Sequence, residues 1–182
     1  MLHSLSLRDR LLAQALILLE RGDSDLSLRA LARETGVSAM APYRHFVDKA
    51  ALMAAIALTG FTMLEKNAEQ ADQAYDPHAA LVAQGVAYIA FARRHSALFR
   101  LMFADGAGMA LPEHQCRGAY DAMARRVAEL APDRADAGAL ACWGLVHGLA
   151  TLALDGRLAT DPAGEAAAIE IMANALTAAR PV

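Results

Sequence analysis

Apolar positions recur at helical spacing along nearly the whole chain, and no stretch alternates as a half-buried strand would. Leu12, Leu16 and Leu19 predict a first helix, with Leu11, Ala15 and Leu18 widening its stripe. Ser6 is placed to cap it by accepting from the Asp9 amide, and Gly22 offers a left-handed stop. Asp23, Ser24 and Asp25 read as a loop. A short second helix starts at Ser27, buries Leu28, Leu31 and Ala32, and ends at Gly36. Val37 is expected as a buried plug, and Ser38 as the cap of a third helix over residues 39–46, which Pro42 limits. Asp48 caps a long fourth helix running toward residue 74, with Leu52, Ile56, Met63 and Leu64 inside. A fifth helix is expected over 77–94, a sixth over 97–103, a seventh over about 112–130, an eighth over 133–154 and a ninth over 162–179. Residues 104–108 read as a loop. The fold class is all-α, with about nine helices.

Composition sharpens this picture. Hydrophobic residues make up 56% of the 182 positions and charged residues 20%, enough to bury a core and too apolar for general disorder. Alanine dominates, while β-branched residues are sparse, which excludes a β-sandwich. Two cysteines, Cys116 and Cys142, do not make a disulfide scaffold. No secretory pattern opens the chain, so a cytoplasmic location is expected. The net charge of −3 is uneven: residues 1–50 carry seven Lys/Arg against six Asp/Glu, and the remainder ten against fourteen. That balance permits a DNA-facing N-terminal part on an acidic body. Residues 137–154 carry no formal charge and reach the length of a membrane span. Three glycines, His147 and Thr151 lower their hydrophobicity, and a buried helix with no membrane partner is the expectation.

Helix, glycine turn, helix is an arrangement that presents its second helix to the major groove. Residues 26–52, LSLRALARETGVSAMAPYRHFVDKAAL, resemble the DNA-binding region of TetR-type transcriptional repressors. The matching elements are S-L-R-x-L-A from Ser27, G-V-S from Gly36, Y-R-H-F from Tyr43 and Lys49. Ala97–Phe103, and Trp143-Gly144 with His147-Gly148, resemble the subgroup with a W…HG C-terminal domain. Lys49 is followed by Ala50, where the family commonly has an acid.

The resemblance implies a DNA-binding domain over 1–50 and an effector-binding and dimerisation domain over 51–182. On that reading Ser27, Arg29, Ser38, Ala39, Met40, Tyr43, Arg44, His45 and Lys49 meet operator DNA. Arg29 and Arg44 have the length and donors to read a base edge, small Ala39 and Met40 suit thymine methyls, and Tyr43, His45 and Lys49 match the family's phosphate contacts. Phe46 is core. A small, mostly apolar effector would sit among Phe91, Met102, Phe103, Tyr120, Met123, Trp143 and His147, although any one of these suits a plain core. A homodimer is expected through the last two helices, using Leu145, Leu149 and Leu152 with Ile169, Met172, Ala173 and Leu176.

Catalysis finds no support: there is no Ser/His/Asp, Cys/His or phosphate-loop pattern. Glu113, His114 and Cys116 have ligand types on one turn only, so neither a metal nor a cofactor is expected. The leading reading is a ligand-responsive repressor that binds a pseudo-palindromic operator. The rival is a helical small-molecule-binding protein or enzyme scaffold without DNA binding.

Overall fold

The computed structural model of the protein describes residues 6–22, 26–73, 76–103, 107–108, 110–157 and 161–178. Among them are eight α-helices: α1 (Leu7–Glu20), α2 (Leu28–Thr35), α3 (Lys49–Ala71), α4 (Pro77–Arg94), α5 (Ser96–Phe103), α6 (Gly118–Leu130), α7 (Ala135–Leu154) and α8 (Pro162–Thr177). No strand occurs among the described residues. Side chains fix several helix starts. Ser6 Oγ accepts from Asp9 N at 3.2 Å, Ser27 Oγ from Ala30 N at 3.2 Å, and Asp48 Oδ1 from Ala51 N at 2.8 Å. Asp76 and Asp161 do the same for α4 and α8. Each satisfies an amide that has no partner within its helix. The loop expected at residues 23–25 lies outside the described residues, as does most of the one at 104–108.

The chain divides into two compact units, Met1–Gly60 with His95–Glu113, and Phe61–Arg94 with His114–Val182. The division drawn from sequence at residue 50 therefore falls inside α3, and α5 belongs to the first unit. In that unit α1 packs on α2 and on α5. Its core includes Leu11, Leu12, Ala15, Leu18, Leu31, Phe46, Leu52, Ile56, Leu98 and Met102, all buried. Leu16 and Leu19 are only half-buried, so the stripe of α1 is centred on Leu11 and Leu18.

In the second unit α4 packs against α6, α7 and α8, and α6 and α8 each also touch α7. Leu81, Met123, Val127, Ala139, Cys142, Ala173 and Leu176 form one buried cluster. Gly138 shows how closely the helices approach: a Cβ there would lie 2.8 Å from Val127 Cγ1 and 2.9 Å from Leu176 Cδ2. Arg93 of α4 reaches Glu165 of α8 at 2.6 Å, and this carboxylate is 4% exposed.

Two predicted helices differ. The seventh begins at Gly118, because none of residues 112–117 is buried and no packing carries a helix through them; a 3-10 turn spans Glu113–Gln115 instead. The third, over 39–46, is a succession of tight turns around a 3-10 helix at Pro42–Arg44. Pro42 has no amide to bond the carbonyl four residues back. The carbonyls of Ser38, Ala41 and Pro42 accept instead from Ala41, Arg44 and His45, three residues on. Ser38 thus serves through its carbonyl, and Val37 is half-buried rather than a sealed plug.

Candidate nucleic-acid interface and body cavity

α2 ends at Gly36, whose φ of 69° closes the helix in the left-handed region. That turn redirects the chain into residues 38–46. Phe46 is 2% exposed and anchors the segment from beneath, with the Arg8 guanidinium 5.7 Å from its ring centre. The sequence reading did not find this cation–π contact. With Phe46 and Pro42 turned inward, Ser38, Ala39, Met40, Tyr43, Arg44 and His45 are all exposed, Met40 to 67%. Arg29 on α2 and Lys49 at the start of α3 are exposed too, and Ser27 is half-buried at its cap. All nine expected DNA-facing residues belong to the first unit. Val47, 80% exposed beside them, was not singled out from sequence. These residues therefore leave cationic and apolar side chains exposed to solvent in the first unit.

The second unit holds a small, partly open cavity. Its wall takes Leu64, Asn67, Leu81, Gln84, Tyr88, Met123, Trp143 and Met172 among others, and no charged side chain. The free space is about 20 Å3, room for about one water molecule. From the set expected on sequence grounds, Met123 and Trp143 line it. Tyr120 stands behind Trp143, edge-on at 5.6 Å between ring centres. His147 reaches the wall through Tyr88, whose hydroxyl lies 2.9 Å from its Nδ1. Burial lowers the His147 pKa from its ordinary value and raises that of Tyr88, so both favour the neutral form. Phe91 is buried on α4 but does not line the cavity, and Met102 and Phe103 lie in the first unit, where Phe99 and Phe103 pack at 4.8 Å.

Sequence reading missed Gln84, Asn67 and Tyr88. Gln84 is 4% exposed, and neither its Nε2 nor its Oε1 has a hydrogen-bond partner. Leu81, Gln84 and Tyr88 share one face of α4, so a polar residue on an apolar stripe was the available signal. Burial also lifts the Cys142 thiol to about 11, which leaves it an inert packing group against Met172.

Comparison with known proteins bears on both parts. Residues 11–56 match the family described as bacterial regulatory proteins, tetR family, and residues 81–176 match the tetracyclin repressor-like C-terminal domain. Nothing among the curated proteins matches the chain. Among solved structures, a protein of unknown function from Rhodococcus sp. RHA1 is 34% identical, with a TM-score of 0.82 over 97% of this chain and 98% of that one. Two more distant structures share the fold. PfmR, a TetR family transcriptional regulator from Thermus thermophilus, is 18% identical with a TM-score of 0.64 over 98% of each chain. A TetR variant from Acinetobacter baumannii AYE in complex with minocycline is 21% identical with a TM-score of 0.61 over 92% of each chain. With a turn-linked helical head that matches the family's DNA-binding part and a body that matches its C-terminal domain, the chain belongs to the TetR family of transcriptional regulators.

Proposed function

We propose that the protein is a cytoplasmic, ligand-responsive repressor that binds a pseudo-palindromic operator as a homodimer and is released by a small, mostly apolar effector. The observation that carries the DNA-binding half is the exposed set Arg29, Ala39, Met40, Tyr43, Arg44, His45 and Lys49, with Phe46 and Pro42 buried within the segment 38–46. A helical scaffold without DNA binding has no use for that set. Among the described residues of the body, no arrangement calls for an enzymatic role.

The homodimer is supported by an uncovered apolar face. The most apolar 18-residue stretch of α7 has a mean hydropathy of 1.6, yet 28% of it is buried within one copy of the chain. Its outer side carries Ala137, Leu140, Ala141, Gly144 and Leu152, with Leu140 67% exposed; on α8, Ile171 is 71% exposed. Small residues at one-turn spacing let a second copy of the same helices approach closely in a four-helix arrangement. Ile169, Ala173 and Leu176, expected at this interface, are buried inside the body instead. The partner face of α8 is the one that bears Ile171.

Ligand response requires the body to open, because its cavity now admits about one water. Trp143 and Met172 are the half-buried wall residues that can yield. An effector would then act by favouring the opened body, to the extent that it binds that state better.

The test is footprinting of the purified protein on the DNA that flanks its own gene. Protection of two half-sites related by a two-fold axis, about one helical turn apart or a multiple of it, is the expected result. No protection beyond that of random DNA of equal length would reject the reading.

A further inference from the structure

We infer that the cavity selects a neutral, mostly apolar molecule whose single polar head group both donates and accepts a hydrogen bond, and that Gln84 reads that head group. The inference rests on the effector reading above. Its starting point is the Gln84 side chain, which lines the cavity at 4% exposure with both amide atoms unpartnered. An amide presents a donor and an acceptor side by side, and leaving both unmet in an apolar wall is costly.

The other polar groups of the wall are engaged elsewhere. Asn67 Nδ2 donates to the Ala87 carbonyl at 2.9 Å, the Tyr88 hydroxyl lies 2.9 Å from His147 Nδ1, and Cys142 Sγ donates to Met172 Sδ at 3.2 Å. Gln84 is thus the polar side chain of the wall whose amide atoms are both unmet. A lone water fits the free space of about 20 Å3 and can stand in for the head group when the site is unliganded. A larger guest has to displace any such water and meet both amide atoms of Gln84 itself. It also has to be uncharged, since no Asp, Glu, Lys or Arg lines the wall to pair with an ion. The remaining wall is aliphatic, thioether and aromatic. Met123 and Met172 can repack around an apolar body.

Trp143 is the only tryptophan in the chain and forms part of the wall, so its emission reports occupancy directly. Three probes of similar size separate the chemistry: benzamide, benzoate and ethylbenzene. Titration of the full-length protein should give a saturable change in Trp143 emission with benzamide, weaker binding of ethylbenzene, and none of benzoate. Gln84→Leu, close in volume, should weaken benzamide about ten-fold or more and leave ethylbenzene as tight or tighter. Gln84→Ala, which cannot overpack the site, should show the same reversal and stands in if the leucine variant does not fold. Saturable benzamide binding that both variants retain would overturn the role of Gln84 while leaving the effector cavity intact. Benzoate binding as tight as benzamide would overturn the neutral selectivity. Failure of both benzamide and ethylbenzene to saturate would overturn the inference together with the effector reading.

Discussion

Adding one methyl group at Gly144 distinguishes a free helix face from an interface. Within one copy of the chain, a Cβ at Gly144 meets nothing within 4 Å, and the same holds at Gly148. Glycine in the middle of α7 weakens that helix, so Gly144→Ala on a free face should stabilise the protein by about 1 kcal/mol. If α7 instead packs against its two-fold mate through Ala137, Leu140, Ala141 and Gly144, the methyl enters a close contact twice per dimer. Overpacking costs about 1–3 kcal/mol per site. Two sites amount to about 2–6 kcal/mol, or a rise in the dimer Kd of roughly thirty-fold or more. Gly138→Ala is the internal comparison. Its methyl would collide with Val127 and Leu176 of the same chain, so it should lower melting temperature whatever the oligomeric state. Sedimentation velocity over a dilution series gives the dimer Kd, and thermal unfolding at fixed concentration gives stability. A Gly144→Ala protein that melts higher and dimerises as tightly as the native one would refute the placement of this face at the interface.

Three further outcomes follow from named contacts. Lys49→Ala should weaken specific and random DNA alike and lower the salt slope by about one per subunit, whereas Arg44→Ala should cost about 1–3 kcal/mol per half-site and relax preference at one base position; anisotropy titrations that find equal losses on both DNAs for both variants would refute the division of labour. Arg93→Ala leaves the Glu165 carboxylate buried without the 2.6 Å guanidinium contact and should destabilise the body by about 1–3 kcal/mol in urea unfolding, below the full cost of a broken buried pair because Arg93 is a third exposed. Burial holds the His147 pKa below its ordinary value, so the unfolded chain takes up a proton more readily; unfolding free energy should fall as pH drops through about 6.5, and His147→Gln should flatten that slope between pH 7.5 and 5.5.

Local chemistry made most of the fold legible. Ser6, Ser27, Gly36 and Asp48 cap or close their helices through atoms within a few residues of themselves, so their roles depend little on the rest of the chain. The fifth expected helix, 77–94, is α4 to the residue because Pro77 and the Asp76 cap start it. Less legible was the segment 39–46, where the helical family pattern and the missing amide of Pro42 conflict and the proline decides. Burial on α8 was not legible either. Ile169, Ala173 and Leu176 form one apolar stripe and Ile171 stands on another side, and an Ala-rich helix that is apolar all round does not declare which side its own chain covers.

The same reasoning explains why the exposed set of the first unit was readable and the cavity was not. The exposed set from Ser38 to Lys49 lies in one short segment, and its orientation follows once Phe46 is inside. The cavity wall is assembled from α3, α4, α6, α7 and α8, so no stretch of sequence contains it. Phe91 and Tyr120 were expected there as large aromatics, yet neither lines the wall, because aromatic size predicts burial and not which void is bordered. Gln84 carries the more specific information. An unmet buried amide costs about 1–3 kcal/mol, and in the unliganded body a single water is the group that can meet it. A guest that matches the amide better than the water does contributes that difference only in the liganded state. The gain is therefore differential by construction, and differential affinity is what a ligand needs in order to shift a conformational equilibrium. An apolar residue at position 84 would stabilise both states alike and contribute nothing to that shift.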